Sequence, residues 1–311
     1  MSIQFFKRDD GSSLATVGSN IIRLITTLRA HDVNIWDIGH ADDNGQTIKK
    51  STLGMAYGLV PDMIYLNMFR RKVAGLVCET DLTKYETMRI KEIDPTEIWV
   101  PSEFCLQKFM DAGFKFQTVV VPHGVDALPI IKNKEKKNKV LMLFNSYKRP
   151  NAHVKRKGIF EVLEAFKELK DTRLILRTKH QAYYDKYDLS NVEFIENRIE
   201  DLSSLYEEVD AVLCPSHAEG YGLVGLEAMA RGIPVISTKT GNDYLTKEWV
   251  YGHIDLPVTK EKIVHALTEF YSQFGFYRGY ALEQAPRIQE KHSWWRLVDQ
   301  LRKRLQILTK R

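Results

Sequence analysis

The chain reads as an α/β protein of two Rossmann-like domains in tandem, on three observations. Its 311 residues are too many for one ordinary core and suit two domains. Apolar runs bounded by turn residues alternate with segments of 3.6-residue period, the pattern of parallel strands joined by right-handed helical crossovers. The alternation stops at the lysine-rich "KNKEKKNK" (132–139) and starts afresh with "KVLMLF" (139–144). The expected division is therefore residues 1–132 and 139–285, followed by a basic amphipathic helix at 286–311, with a cleft between the two domains.

Taken in order, "NIIRLITTLRAHDVNIWDI" runs from a helix into a strand at Val33–Ile38. Further strands are expected at Val73–Cys78, Glu97–Val100 and Thr118–Val121, with a helix at Glu103–Ala112 ended by Gly113. After the break come a strand at 139–144, a helix at Gly158–Leu169 and strands at Arg173–Arg177 and Val192–Ile195. A short helix at Asp201–Glu207, a strand at 210–216, a helix from Leu223 to Arg231 and a strand at 234–238 complete the second half. Arg231, Gly232 and Pro234 give that last helix an unambiguous end. In open parallel sheets ligands bind beyond the carboxyl ends of the strands, so the loops after Cys78, Val121, Phe144 and Cys214 are where function is expected.

Composition narrows the function classes. Hydrophobic residues at 44% and charged residues at 27% are ordinary for a soluble globular protein and exclude disorder. No apolar run approaches the ~20 residues of a membrane span, and the first residues lack a signal-peptide pattern, so a cytosolic location is expected. Cys78, Cys105 and Cys214 sit singly in apolar surroundings without metal-type spacing, which indicates buried reduced thiols. The net charge of +5 is mild, but cations cluster in "KNKEKKNK" (132–139) and in the tail "RKRLQILTKR" (302–311); each reads either as a solvated linker or helix face or as a contact for phosphates or an anionic membrane, and no nucleic-acid partner is expected.

The stretch "CPSHAEGYGLVGLEAMARGIPVIST" (214–238) carries the chemistry. Gly220 and Gly222 permit a sharp turn and close approach of backbone to a ligand. The helix that follows offers free N–H groups near Gly222, Leu223 and Val224, an anion site suited to a phosphate or diphosphate. Glu219 and Glu227 flank it. Phosphates would repel both carboxylates, so their partners must be neutral and rich in hydroxyls. A nucleotide sugar has that layout, with hexose, diphosphate and ribose in a row.

The pattern P-S-x-x-E-G-x-G-L-x-x-x-E-A-M-A-x-G-x-P-V-I from Pro215 to Ile236 resembles the donor-site signature of retaining GT-B glycosyltransferases, family 4 of the sugar transferases. "VPSEFCLQKFMDAGF" (100–114) with "VVVPHGVD" (119–126) is similar to the end of that family's acceptor domain, and "KRKGIFEVLEAF" (155–166) to its K-G-x-x-x-L-x-A-F segment. The resemblance implies a GT-B fold: two Rossmann-like domains with parallel sheets facing across a cleft, and a C-terminal helix crossing back to brace the first. It implies metal-independent transfer of a hexose from a UDP- or GDP-linked donor to a hydroxyl of a glycan, lipid-linked or protein acceptor, without a cofactor. A GT-B epimerase or hydrolase of nucleotide sugars, or a non-catalytic sugar-nucleotide binder, are the alternatives.

Carried over residue by residue, the resemblance gives Glu219 the donor hexose near its 3-hydroxyl, Glu227 the ribose hydroxyls, the amides of Leu223 and Val224 the diphosphate, and Lys157 the leaving group. The family's arginine after the first strand of the second domain is replaced by "FNSYKRPNAHVKRKG", with Asn145 and Ser146 at its place and Arg149 or Lys148 as substitutes. Tyr221 and Ser146 complete the expected donor lining. Glu79, beyond a first-domain strand, is a candidate for the hexose 6-hydroxyl or for orienting the acceptor, beside the reading as a solvated loop acid. The E-x-D of Glu79 and Asp81 resembles a metal motif of another transferase fold but does not fit this architecture, so no metal is expected. Gly18 and Ser19, read as a helix start, are candidates for the floor of the acceptor site. His123 is placed to face the diphosphate or to form a hinge. Arg198 and Ile199, and more weakly Asn242 and Asp243, border the base. The tail "KHSWWRLVDQLRKRLQILTKR" is one amphipathic helix that braces the first domain through Trp294 and Trp295 or contacts the inner membrane face peripherally.

Overall fold

The computed structural model describes residues 2–7, 13–28, 32–37, 53–115, 117–133, 135–143, 154–178, 184, 187, 189–195, 202–242 and 253–310. The chain forms two compact units, Met1–Gly124 with His292–Arg311, and Val125–Lys291.

In the first unit the order is β1 (Ser2–Lys7), α1 (Ser13–Thr27), β2 (Asp32–Asp37), β3 (Leu53–Gly58), a 3-10 helix (Val60–Met68), β4 (Lys72–Leu76), α2 (Lys84–Ile93), β5 (Glu97–Val100), α3 (Glu103–Asp111) and β6 (Thr118–Val120). The six strands form one parallel sheet in the order β2-β1-β3-β4-β5-β6. β1 and β3 are additions to the strands expected from the sequence. Glycines weaken the strand signal of "LGMAYG", yet Gly54 here and Gly75 in the neighbouring β4 each seat a ring. A Cβ on Gly54 would lie 2.3 Å from Phe69, and one on Gly75 2.0 Å from Tyr57. Local capping sets the helix starts: Thr83 and Glu86 form a reciprocal capping box on α2, and Ser102 Oγ accepts from the Cys105 amide at 3.2 Å on α3. Gly18 does not start a helix. Val17, Ile21, Leu24 and Ile25 form one buried stripe, which extends α1 back to Ser13 and leaves Gly18 in its interior, its amide spent on the helix.

The second unit has β7 (Lys139–Leu143), α4 (Ile159–Phe166), β8 (Arg173–Arg177), β9 (Val192–Ile195), α5 (Ser203–Glu207), β10 (Ala211–Cys214), α6 (Leu223–Ala230), β11 (Val235–Thr238), β12 (His253–Ile254), α7 (Lys260–Ser272) and α8 (Phe274–Lys291). Its parallel sheet runs β12-β11-β10-β7-β8-β9. Alternate strand residues feed two cores, as the pleat requires. Val140, Met142, Leu174, Leu176 and Leu213 pack with α4 and α7, while Leu141, Ile175 and Val212 pack with α6. β10 returns to the opposite side of β7 from β8, so the topological switch point lies between β7 and β10.

The units change at Gly124, ahead of the lysine-rich segment, because residues 125–139 are fastened to the second unit. Val125 and Ile131 are buried in its core. Buried Arg278 donates to the carbonyls of Ile131 at 2.7 Å, Asn133 at 2.7 and 3.0 Å, and Gly232. Buried Asp210 accepts from the amides of Lys137 at 2.8 Å and Lys139 at 3.0 Å and from the Tyr271 hydroxyl at 3.1 Å.

The tail is divided rather than one helix. Ser293 caps a 3-10 turn at Trp294–Leu297, and α9 (Val298–Lys310) follows, both in the first unit. Leu297, Leu301, Leu305 and Leu308 are buried there, and the Leu308 and Val120 carbonyls accept from Arg71 and Gln300. Trp294 is buried against Gly124, where a Cβ would lie 2.7 Å from the Trp294 nitrogen; Trp295 is exposed. His123 hydrogen-bonds the Tyr57 hydroxyl and stacks on Trp294 with centroids 6.3 Å apart. Burial lowers its pKa from 6.5 to about 3, which keeps the imidazole neutral near pH 7.

Two outcomes follow for stability. Arg278→Met strips donors from the buried carbonyls of Ile131 and Gly232 and the partly buried one of Asn133, and is expected to destabilise the protein by about 2–4 kcal/mol in urea titrations; a loss near zero would remove the clamp's importance. Below pH 6.5 the unfolded chain takes up a proton that folded His123 refuses until about pH 3, so stability falls as pH falls through that window. The loss is about 2 kcal/mol at pH 5. His123→Gln is expected to lose less stability than wild type between pH 7.5 and 5, whereas equal losses would contradict a buried neutral imidazole.

Candidate active site

The best-built site lies at the switch point of the second unit, where the segment before α4 meets the loop between β10 and α6. Gly158 has φ +71°, and a Cβ on it would stand 2.3 Å from the Pro215 carbonyl oxygen. Only glycine lets the two backbones meet so closely. The contact is extended by the His217 amide donating to the Arg156 carbonyl at 2.7 Å and by Arg156 Nη1 donating to the Ala218 carbonyl at 2.7 Å. A third segment closes the loop from beyond β11. The Gly241 amide donates to the Glu219 carbonyl at 2.6 Å, and a Cβ on Gly241 would lie 1.9 Å from that oxygen. Asn242 tightens this turn: its Oδ1 accepts from the Thr240 amide and hydroxyl, each at 3.0 Å, and its Nδ2 donates to Ser237 Oγ at 2.5 Å.

α6 begins at the expected residue. Gly222 occupies its N-cap with φ 79°, and no side chain caps the helix. The first-turn amides, those of Leu223 and Val224 among them, have no acceptor within the helix and carry its positive end. Tyr221 is buried in the core beneath this turn and supports it. Glu219 precedes the amides and Glu227 stands one turn inside the helix.

The two glutamates sit in opposite electrostatic settings. Burial would raise the Glu219 carboxyl, but Lys157 and Arg156, with hydrogen bonds from Lys157 and Ser216, more than offset it and hold the group below the usual carboxylate range. Lys157 Nζ is in direct contact with Glu219 Oε2, Ser216 Oγ is 3.2 Å away and Arg156 Nη1 3.7 Å. Glu227 goes the other way: burial raises its carboxyl, with Arg231, one turn on, opposing. A desolvated carboxylate of this kind is satisfied by hydroxyl donors. Cys214, at the end of β10, has its thiol pushed up to about 12 by burial, and Cys78 likewise, so neither thiol is a nucleophile at neutral pH.

Other expected residues are placed elsewhere or lie outside the described residues. Asn145, Ser146, Lys148, Arg149, Arg198, Ile199 and Asp243 are outside them. Glu79 and Thr80 lie past the end of β4 in the first unit, with Glu79 partly exposed, while Asp81 pairs with Lys108 at 2.5 Å. Among the described residues no group of His, Cys, Asp and Glu could hold a metal ion. Two participants were not read from the sequence. Arg156, beside Lys157, bridges to the Ala218 carbonyl, and His217 Nε2 meets Glu161 Oε1 of α4 at 3.1 Å. The adjacency of Arg156 to a functional lysine was the available signal for the first; a pair 56 residues apart leaves none for the second.

Residues 149–273 match the family described as Glycosyl transferases group 1. Among curated proteins, an uncharacterized glycosyltransferase of Methanocaldococcus jannaschii is 35% identical over 100 residues, 30% of this chain and 24% of the relative. A second from the same organism is 27% identical over 147 residues, 44% of this chain and 40% of the relative. The matches thus span well under half the length of these relatives. Among solved structures, Anabaena HepE in complex with UDP and glucose superposes over 98% of this chain and 99% of its own at a TM-score of 0.75 and 15% identity. Sucrose-phosphate synthase from Thermosynechococcus elongatus covers 99% of both chains at 0.77 and 14%. Such likeness fixes the fold as GT-B, and the switch-point residues described above fall within the stretch that matches the Glycosyl transferases group 1 family.

Proposed function

We propose that the protein is a retaining, metal-independent glycosyltransferase that moves a hexose from a UDP- or GDP-linked donor to a hydroxyl acceptor. The observation that carries this reading is the uncapped start of α6 between Glu219 and Glu227. The amides of Leu223 and Val224 bind the diphosphate, Glu227 accepts from the ribose hydroxyls and Glu219 from the hexose. The neighbour from Anabaena, solved with UDP-glucose, supports a nucleotide sugar as the donor class.

Catalysis on this reading is stabilisation of the leaving group. As the glycosidic C–O bond breaks, charge builds on the diphosphate, where the positive end of α6 and Lys157 meet it; each such donor is worth about 3–4 kcal/mol. The oxocarbenium-like hexose is captured by the acceptor on the face the diphosphate leaves, and a diphosphate oxygen takes the acceptor proton. The configuration is retained and no metal is required. We assign the protein to the cytosol. With the leucine face of α9 buried, the exposed cations Arg302 and Lys303 are the described groups of this helix that we assign to a peripheral contact with an anionic membrane. No described helix is long and apolar enough to cross a membrane.

A thermal-shift panel of nucleotide sugars is expected to show stabilisation by one donor, undiminished by EDTA; a shift abolished by the chelator would refute the metal-free reading. Release of free sugar without acceptor, as the main turnover, would point to a hydrolase. Glu227→Ala is expected to weaken nucleotide binding about 10- to 100-fold. Glu219→Ala should leave binding nearly intact and cut turnover about 100-fold. The reverse pattern would show the two assignments exchanged.

A further inference from the structure

Two cations, not one, address the same oxygen of Glu219. Lys157 Nζ bonds Oε2 directly, and Arg156 Nη1 stands 3.7 Å from it. They are held differently. Arg156 is anchored to the loop that carries Glu219: Nη1 donates to the Ala218 carbonyl at 2.7 Å, its own carbonyl accepts from the His217 amide at 2.7 Å, and its side chain is only 10% exposed. Lys157 bonds the carboxylate with its single ammonium, and its side chain is 22% exposed. A guanidinium has five donors in a rigid fork and can serve a carbonyl and a carboxylate together. A lysine is one point charge on a flexible stem and serves whichever anion is stronger.

A diphosphate at the start of α6 would be the stronger anion. Lys157, drawn to it, would leave Glu219 buried beside new negative charge, a setting that protonates a carboxyl or turns it away. We propose that Arg156 is the standing counter-ion of Glu219, keeping the carboxylate ionised and aimed at the hexose when the donor takes Lys157. Arg156 is then a positioning residue rather than a phosphate ligand. This rests on the roles of Lys157 and Glu219 proposed above.

The test compares Arg156→Gln, Arg156→Lys and Lys157→Gln in the full chain, using UDP and GDP for thermal shifts and the stabilising nucleotide sugar for turnover. Arg156→Gln is expected to keep the nucleotide-induced shift that Lys157→Gln loses. Its kcat should fall about tenfold near neutral pH, with the acid limb of the kcat profile displaced upward by about one unit, because a carboxyl that loses its cation takes up a proton more readily. Arg156→Lys should keep the nucleotide shift but leave the limb displaced, because a lone ammonium released from the Ala218 carbonyl follows the diphosphate as Lys157 does. Loss of the nucleotide shift in Arg156→Gln, or an acid limb that does not move, overturns the assignment. If Arg156→Gln does not fold, Arg156→Lys decides: a displaced limb with the nucleotide shift kept supports the proposal, and a wild-type limb or a lost shift overturns it. Wild-type protein unmoved by every nucleotide and nucleotide sugar would instead overturn the donor site itself.

Discussion

The site depends on one steric fact, the seating of Gly158 beneath the Pro215 carbonyl. Because no side chain intervenes, the turn after the β7 loop and the loop after β10 share a single surface at the switch point. Lys157 and Arg156 are delivered from one side of that surface and Glu219 from the other, with Gly241 closing the third side. Any residue larger than glycine at position 158 would part the segments before it affected a single charge. Packing therefore precedes electrostatics here: the two cores of the second unit fix the strands, the strands fix the loops, and the loops bring charges into register.

The electrostatic design has a tension built into it. An uncapped helix start attracts anions, and two carboxylates stand beside it. The structure resolves this by treating them differently. Glu219 is surrounded by cations and a hydroxyl that keep it ionised, while Glu227 sits in a drier setting tempered by Arg231. A ligand with an anionic centre and hydroxyl-rich ends satisfies the whole set at once, which neither a simple phosphate nor a simple sugar does.

What could be read from the sequence was whatever has a local signature. α6 was bounded by Gly222 at one end and Gly232 with Pro234 at the other, and its start agrees to the residue. The spacing of Glu219 and Glu227 around that start was equally local. Long-range constraints were not legible. Asp210 and Arg278 tie residues 131–139 into the second unit through partners dozens of residues away, so a segment that looks like a linker is fastened backbone. β3 was hidden because Gly54 was selected by the ring of Phe69, not by strand propensity. Arg156 was passed over because a cation next to a functional lysine has the appearance of a solvated charge; only the folded loop shows it bonded to Ala218. Gly18 illustrates the opposite error, in which a loose glycine and serine run suggested a helix start that the buried stripe from Val17 to Ile25 had already moved upstream.

The account turns on where the diphosphate binds. A crystal of the protein soaked with UDP or GDP answers this most directly. Phosphate oxygens within hydrogen-bonding distance of the Leu223 and Val224 amides, with the ribose toward Glu227, are the predicted result. A nucleotide found away from the start of α6, or seated with its ribose against Glu219, would contradict it.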